Sequence, residues 1–101
     1  MTKADIVDHI ASGTGLTKVE TEAVVDGFIQ TVIEALKEGK NIEIRGFGSF
    51  KTKKRKGRIA RNPRTGEQVQ VAEHYVPVFK VSKDLRSVVN ENLKKIQPPS
   101  L

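Results

Sequence analysis

The residues best equipped for chemistry in this chain are cations. From Lys51 to Arg64 the sequence runs Lys-Thr-Lys-Lys-Arg-Lys-Gly-Arg-Ile-Ala-Arg-Asn-Pro-Arg, with eight basic side chains and no acid. The eight are Lys51, Lys53, Lys54, Arg55, Lys56, Arg58, Arg61 and Arg64. So dense a positive run repels itself inside a compact domain, and its natural partner is a polyanion. Catalytic arrangements fare badly beside it. His9 and His74 have no second His or Cys at ligand spacing, so no metal site is expected. Gly46-Phe47-Gly48 does not continue into a dinucleotide fingerprint, and no Lys-Ser/Thr follows for a phosphate loop. No nucleophile stands with a base. A binding protein without enzymatic activity or cofactor is the expectation.

The segments around the basic run must position it. Before it, Ile42, Ile44, Gly46, Gly48 and Phe50 fall on alternate positions; after it come Val69 and Val71, then Val76, Val78 and Lys80. Alternation of this kind marks strands with one buried face. Between the arms, Asn62-Pro63-Arg64-Thr65-Gly66 is rich in turn formers. The pattern predicts a long two-stranded ribbon projecting from a small sheet, a shape suited to a nucleic-acid groove.

Upstream lie two helix patterns. Thr2-Lys3-Ala4-Asp5 and Thr17-Lys18-Val19-Glu20 both read as capping boxes, and Gly13, Gly15 and Gly39 supply the stops. Helix two carries a wide apolar stripe that includes Val19, Val24, Phe28, Val32, Ile33 and Leu36. With Phe47 and Phe50 it exceeds what one small chain can cover, which predicts an intertwined dimer. Ser82 caps a last helix whose stripe is Leu85, Val88, Val89, Leu93 and Ile96, expected to be buried. Gln97-Pro98-Pro99-Ser100-Leu101 cannot continue that helix and is expected to be a disordered tail. Two helices joined by a glycine turn also admit a helix-turn-helix reader, but both are acidic where a recognition helix should be basic.

The 101 residues bound the answer to one domain, expected over 1–96 with its arm over about 51–74. Residues 1–50 carry five basic and eight acidic side chains, and 51–101 carry thirteen and four. The positive charge is therefore localised. There is no Cys to form a disulfide or thiolate zinc site, and no apolar run long enough for a membrane span. With no secretory signal in view, a cytoplasmic location is expected.

Arg45-Gly46-Phe47-Gly48-Ser49-Phe50, at its spacing from Arg61-Asn62-Pro63-Arg64-Thr65-Gly66, resembles the bacterial histone-like DNA-bending family that includes HU and integration host factor. Tyr75-Val76-Pro77 and Phe79-Lys80 followed by a helix complete the pattern, and the likeness runs from Thr2 to about Asn90. The resemblance implies an α+β chain with two N-terminal helices, a three-stranded antiparallel sheet carrying the ribbon arm, and a C-terminal helix. It implies minor-groove binding, DNA bending and association with the nucleoid, as a homodimer or a heterodimer with a paralogue. HU and integration host factor are themselves known minor-groove binders that insert apolar wedges, so Pro63 becomes the expected wedge as well as a turn former. Gly46 and Gly48 would let backbone approach DNA phosphates, or else merely ease a strand bend. Asn62 either starts the turn or touches base edges. Lys3 and Lys83, at helix starts, would clamp phosphates at the edges of the body.

The chain departs from the family pattern at Ala60, where glycine is usual, at Val81-Ser82, often Pro-Gly or Ala-Gly, and in a longer terminal helix. The competing reading is an RNA-binding or ribosome-associated basic protein. RNA readers stack bases on exposed aromatics, and the arm from Lys51 to Gln70 contains none.

Overall fold

The computed structural model describes residues 1–96; the tail expected over 97–101 lies outside the described residues. Two helices, α1 (Lys3–Thr14) and α2 (Lys18–Lys37), precede β1 (Ile42–Ile44), β2 (Gly48–Arg55), β3 (Arg58–Arg61), β4 (Gln68–Val71) and β5 (His74–Val81), and α3 (Lys83–Ile96) closes the order. The expected α+β arrangement is present. β1, β2 and β5 form an antiparallel sheet in that order, while β3 and β4 pair separately further out.

The helix ends follow their sequence signals. At α1 the Thr2 N–H donates to Asp5 Oδ2 at 2.8 Å, and the Asp5 N–H donates to Thr2 Oγ1 at 3.4 Å. The Thr2 N–H also holds the Asp5 carboxyl below its ordinary range, because only the ionised form accepts it fully. At α2 only half of the expected box is formed among the described residues: Thr17 Oγ1 accepts from the Glu20 N–H at 3.1 Å. Gly39, at φ 75°, ends α2 in the left-handed region. Ser82 caps α3 by accepting from the Leu85 N–H at 3.1 Å, and its own N–H reaches Phe47 O at 2.9 Å.

One alternating pattern turns out to span two strands. Arg45-Gly46-Phe47 is a tight turn, closed by the Phe47 N–H on Ile44 O at 3.0 Å, and Gly46 adopts φ 83°. Ile42 therefore faces Phe50 and Ile44 faces Gly48 across a hairpin. Directly opposed residues share a face, so the alternation survives the reversal and conceals it.

The interior is almost absent. Among the described residues only Val7, Ala11 and Thr21, where α1 packs on α2, and Gly48 in β2 are buried. The chain exposes 8836 Å², against about 5,700 Å² for a compact monomer of its mass. Its radius of gyration is 19.1 Å, where a compact fold of this length has about 13 Å. The α3 stripe, expected to be buried, is open in the single chain, with Val88 65% exposed and Leu93, Ile96 and Val89 also exposed. The reason is geometric. α3 leaves the sheet after Val81, and among the described residues none of its side chains is buried. Its stripe, like that of α2, awaits a second copy.

Candidate nucleic-acid interface

Pairing of β2 with β5 divides the basic strand into two faces. The register runs from Gly48↔Val81 through Phe50↔Phe79 and Lys53↔Val76 to Arg55↔His74. Successive side chains point to opposite sides. Gly48, Phe50, Thr52 and Lys54 thus share a face with Val81, Phe79, Pro77 and Tyr75. Ser49, Lys51, Lys53 and Arg55 share the other with Lys80, Val78, Val76 and His74.

The first face belongs to the body. Phe47, Phe50 and Phe79 cluster there, with ring centroids 5.0 Å apart for Phe47–Phe79 and 4.9 Å for Phe50–Phe79. Thr52, Tyr75 and Pro77 meet Ile33 and Leu36 of α2 around a concavity on the same side. A Cβ at Gly48 would lie 2.5 Å from Lys80 O and from the Phe79 ring. The bareness of Gly48 is therefore required by packing within the chain, and that of Gly46 by its positive φ. Neither needs DNA to explain it. Lys54 also falls on this side, where its Nζ lies 2.9 Å from Glu73 Oε1.

The second face is open and cationic. Lys51, Lys53, Arg55 and Lys80 line it, and among the described residues none of them forms an ion pair. The half-buried Val76 and Val78 stand directly across from Lys53 and Lys51, so the lysine stems have apolar surface to lie on. Near the root of the arm, Ser49, Lys51, Lys80, Glu43 and Arg45 border a concavity of about 470 Å³. Glu43 is the acid in that company, brought to the face by its pairing with Ser49.

Outward, two residues pass unpaired on each strand, 56–57 and 72–73, before the β3–β4 pairing begins at Arg58↔Val71. No residue is inserted, so the alternation carries through the break. A Cβ at Gly57 would meet Val71 O at 3.0 Å, which shows how closely the strands approach there. At the tip the Asn62 N–H donates to Glu67 O at 2.8 Å, and Asn62 O accepts from the Gly66 N–H at 2.7 Å. Asn62 Oδ1 accepts from the Arg64 N–H at 2.9 Å. That oxygen of Asn62 serves the turn, and Gly66 completes it at φ 75°. Pro63 is exposed at the apex with Arg64 beside it.

The sequence-predicted cations are thus not equivalent. Lys51, Lys53, Arg55 and Arg61 lie on the open side, Lys54 and Arg58 on the other, and Lys56 in the break. Lys83 stands at the first position of α3. Lys3 is engaged: its Nζ lies 2.8 Å from Asp26 Oδ1 and 3.9 Å from Glu22 Oε1. The Asp26 hydrogen bond raises its pKa above the ordinary lysine value. Sequence reasoning had not placed Lys80, Ser49 and Gly57 in the site. Only cross-strand register brings Lys80 level with Ser49 and onto the face of Lys51, and no single-strand pattern contains it. Among the described residues no cluster of His or carboxylates could hold a metal, and no helix is long and apolar enough to cross a membrane.

Comparison with known proteins agrees with this geometry. Residues 1–90 match the family model described as bacterial DNA-binding protein. The chain is 45% identical over 96 residues to integration host factor subunit beta of Marinobacter nauticus, covering 94% of this chain and 98% of that one. It is 41% identical over 87 residues to DNA-binding protein HU of Lactococcus lactis, covering 86% and 96%. Among solved structures, an Anabaena HU–DNA cocrystal superposes with a TM-score of 0.80 at 35% identity, over 98% of this chain and 100% of that one.

Proposed function

The chain belongs to the HU/integration host factor family of bacterial DNA-binding proteins, and from that membership we propose how its own residues hold DNA. It is an architectural, non-enzymatic protein that binds and bends duplex DNA as a dimer, with a second copy or with a paralogue. Residues 1–96 act as one DNA-binding domain, associated with the nucleoid. The observation that carries the assignment of residues is the open face of β2 and β5, where Lys51, Lys53, Arg55 and Lys80 form no ion pair among the described residues.

Phosphates rest on that face, and the arm follows the minor groove outward with Arg58, Arg61 and Arg64. Lys56, in the break between the two ribbon segments, adds a flanking phosphate contact. Two paired strands are about 4.8 Å apart before side chains are counted, whereas the minor groove of B-form DNA is about 6 Å wide. The ribbon therefore enters only as the groove opens, and opening it bends the duplex. Gly46 and Gly48 lie at the root of the arm, where bare backbone adds a close phosphate approach to the turn role of the one and the packing role of the other. Lys3 and Lys83 extend the track along the flanks.

Pro63 is the wedge. The tip turn is held by Asn62, Arg64, Gly66 and Glu67, with no bond supplied by Pro63. Pro63→Ala consequently keeps the turn and all the charges while removing the rigid ring. Energy transfer between duplex ends at saturating protein is expected to show a bend smaller by tens of degrees, the order of a single inserted wedge, while affinity for linear duplex falls modestly. Equal bends for the two chains would reduce Pro63 to a turn former.

A second outcome concerns the flank. Asp26→Asn releases Lys3 from its 2.8 Å pair, freeing one cation for phosphate. On a duplex long enough to reach α1, the slope of log K against log salt should steepen by about 0.9. On a duplex confined to the arms it should not change. An unchanged slope on both would place Lys3 outside the interface.

A further inference from the structure

One titratable side chain of the open face has no role so far. His74 begins β5 directly across from Arg55 and is exposed. It therefore shares its face with Lys51, Lys53 and Arg55, at the outer end of the inner ribbon and before the break. Its Nδ1 lies 2.9 Å from Ala72 O. A carbonyl oxygen can only accept, so Nδ1 is the donor and carries the proton. Ala72 stands in the stretch that passes unpaired between the two ribbon segments, and this bond ties the ring to it. In the neutral ring Nε2 is then a bare acceptor. Among the described residues Nε2 forms no hydrogen bond.

On a face that meets phosphates this arrangement has a consequence. Neutral His74 offers a lone pair to phosphate oxygens, which are themselves acceptors. Moving the proton to Nε2 would cost the ring its bond to Ala72. A second proton removes the conflict, because an imidazolium donates from both nitrogens, keeping the carbonyl and gaining the phosphate. We propose that His74 is a further phosphate contact of this protein, made when its ring takes up a proton as DNA binds. The proposal rests on the open face being the one that carries phosphates. The charges around the ring are those of β2 and the break. Arg55 is directly opposite, Lys53 diagonal on the same face, and Lys56 just beyond. The neighbouring acid, Glu73, is held by Lys54 Nζ at 2.9 Å on the other face. The cations draw phosphate to this station, and a phosphate oxygen within reach of Nε2 favours the charged ring. Binding therefore removes a proton from solution, and affinity rises as pH falls through the histidine range of about pH 5–8.

The test compares the native dimer with His74→Gln and His74→Lys on one nicked duplex that spans both arms, at fixed salt. From about pH 8 to about pH 5.5 native affinity should rise about tenfold for each arm, the scale of one hydrogen bond to a charged group. His74→Gln should lose that rise and keep only what His9 and the amino terminus contribute. His74→Lys, charged throughout, should bind at the higher pH as tightly as the native protein does at the lower. The native slope of log K against log salt should also steepen by about 0.9 per arm between the two pH values, while the slopes of both variants hold. Native and His74→Gln affinities that change alike with pH would overturn the proposal, and so would a native salt slope that ignores pH. Arg55→Gln separates the proposal from its premise. If that variant flattens the slope while the His74 variants behave as the native chain, the histidine contact alone is refuted. If Arg55→Gln also leaves the slope unaltered, the open face is not the phosphate face and both readings fall.

Discussion

Phe47→Asp is expected to abolish the folded dimer rather than weaken it. In the single chain Phe47 is 43% exposed, yet its ring lies 5.0 Å from Phe79 and 6.5 Å from Phe50. That cluster is the densest apolar feature of a chain with almost no interior. A second copy must complete it, and every dimer then contains the residue twice. Removing a buried phenylalanine costs about 3–5 kcal/mol, so two losses approach the whole stability of about 5–15 kcal/mol available to a small protein. The new carboxylate adds a desolvation cost at each site. Circular dichroism and sedimentation should therefore show helicity and association lost together at micromolar concentration. Phe47→Leu, which keeps the apolar volume, should keep the dimer. A fully folded native monomer at the same concentration would contradict the premise.

Neutralising the arm should have the next largest effect. Log K falls by about 0.9 for each phosphate neutralised per decade of salt. Replacing Arg55, Arg58 and Arg61 by Gln removes up to three such contacts, so the slope should flatten by roughly 2–3 units. Near 0.1 M salt the same counterion term amounts to about 10²–10³ in affinity. Lys54→Gln is the internal comparison. Its charge already meets Glu73 at 2.9 Å on the body side of the ribbon, so its removal should change the slope much less than removal of Arg55 or Arg61 alone. A triple variant with an unaltered slope would move the binding surface to the body. If Lys54→Gln matched Arg55→Gln or Arg61→Gln, the division of the ribbon into two faces would be refuted.

Several features of the site were beyond one-dimensional reading for identifiable reasons. The Ile42 to Phe50 alternation looked like one strand because a hairpin with directly opposed partners preserves parity. Gly46 and Gly48 looked like bare patches for DNA, but a positive φ at one and the Phe79 ring at the other already require glycine. Lys3 looked free, and its partner Asp26 lies a helix away, a proximity set by how α1 packs on α2. Lys80 was unremarkable in its own strand and becomes part of the cationic row only through its register with Ser49.

By itself the sequence determined the local and the electrostatic parts. Caps and glycines bounded the helices, because hydrogen bonds at helix ends are satisfied by residues three or four positions away. The run from Lys51 to Arg64 announced a polyanion partner, because eight like charges without a counter-acid need one. The family motifs announced which polyanion, and the surplus of apolar stripe announced a second copy. Tertiary structure alone decided which cations act together. Strand pairing is non-local: it is fixed by where the turns fall, and a shift of one residue would exchange the two faces. Only once Arg55 is paired with His74 and Arg58 with Val71 does the ribbon acquire an inside, with Lys51, Lys53, Arg55, Ile59 and Arg61 on it and Lys54 held away.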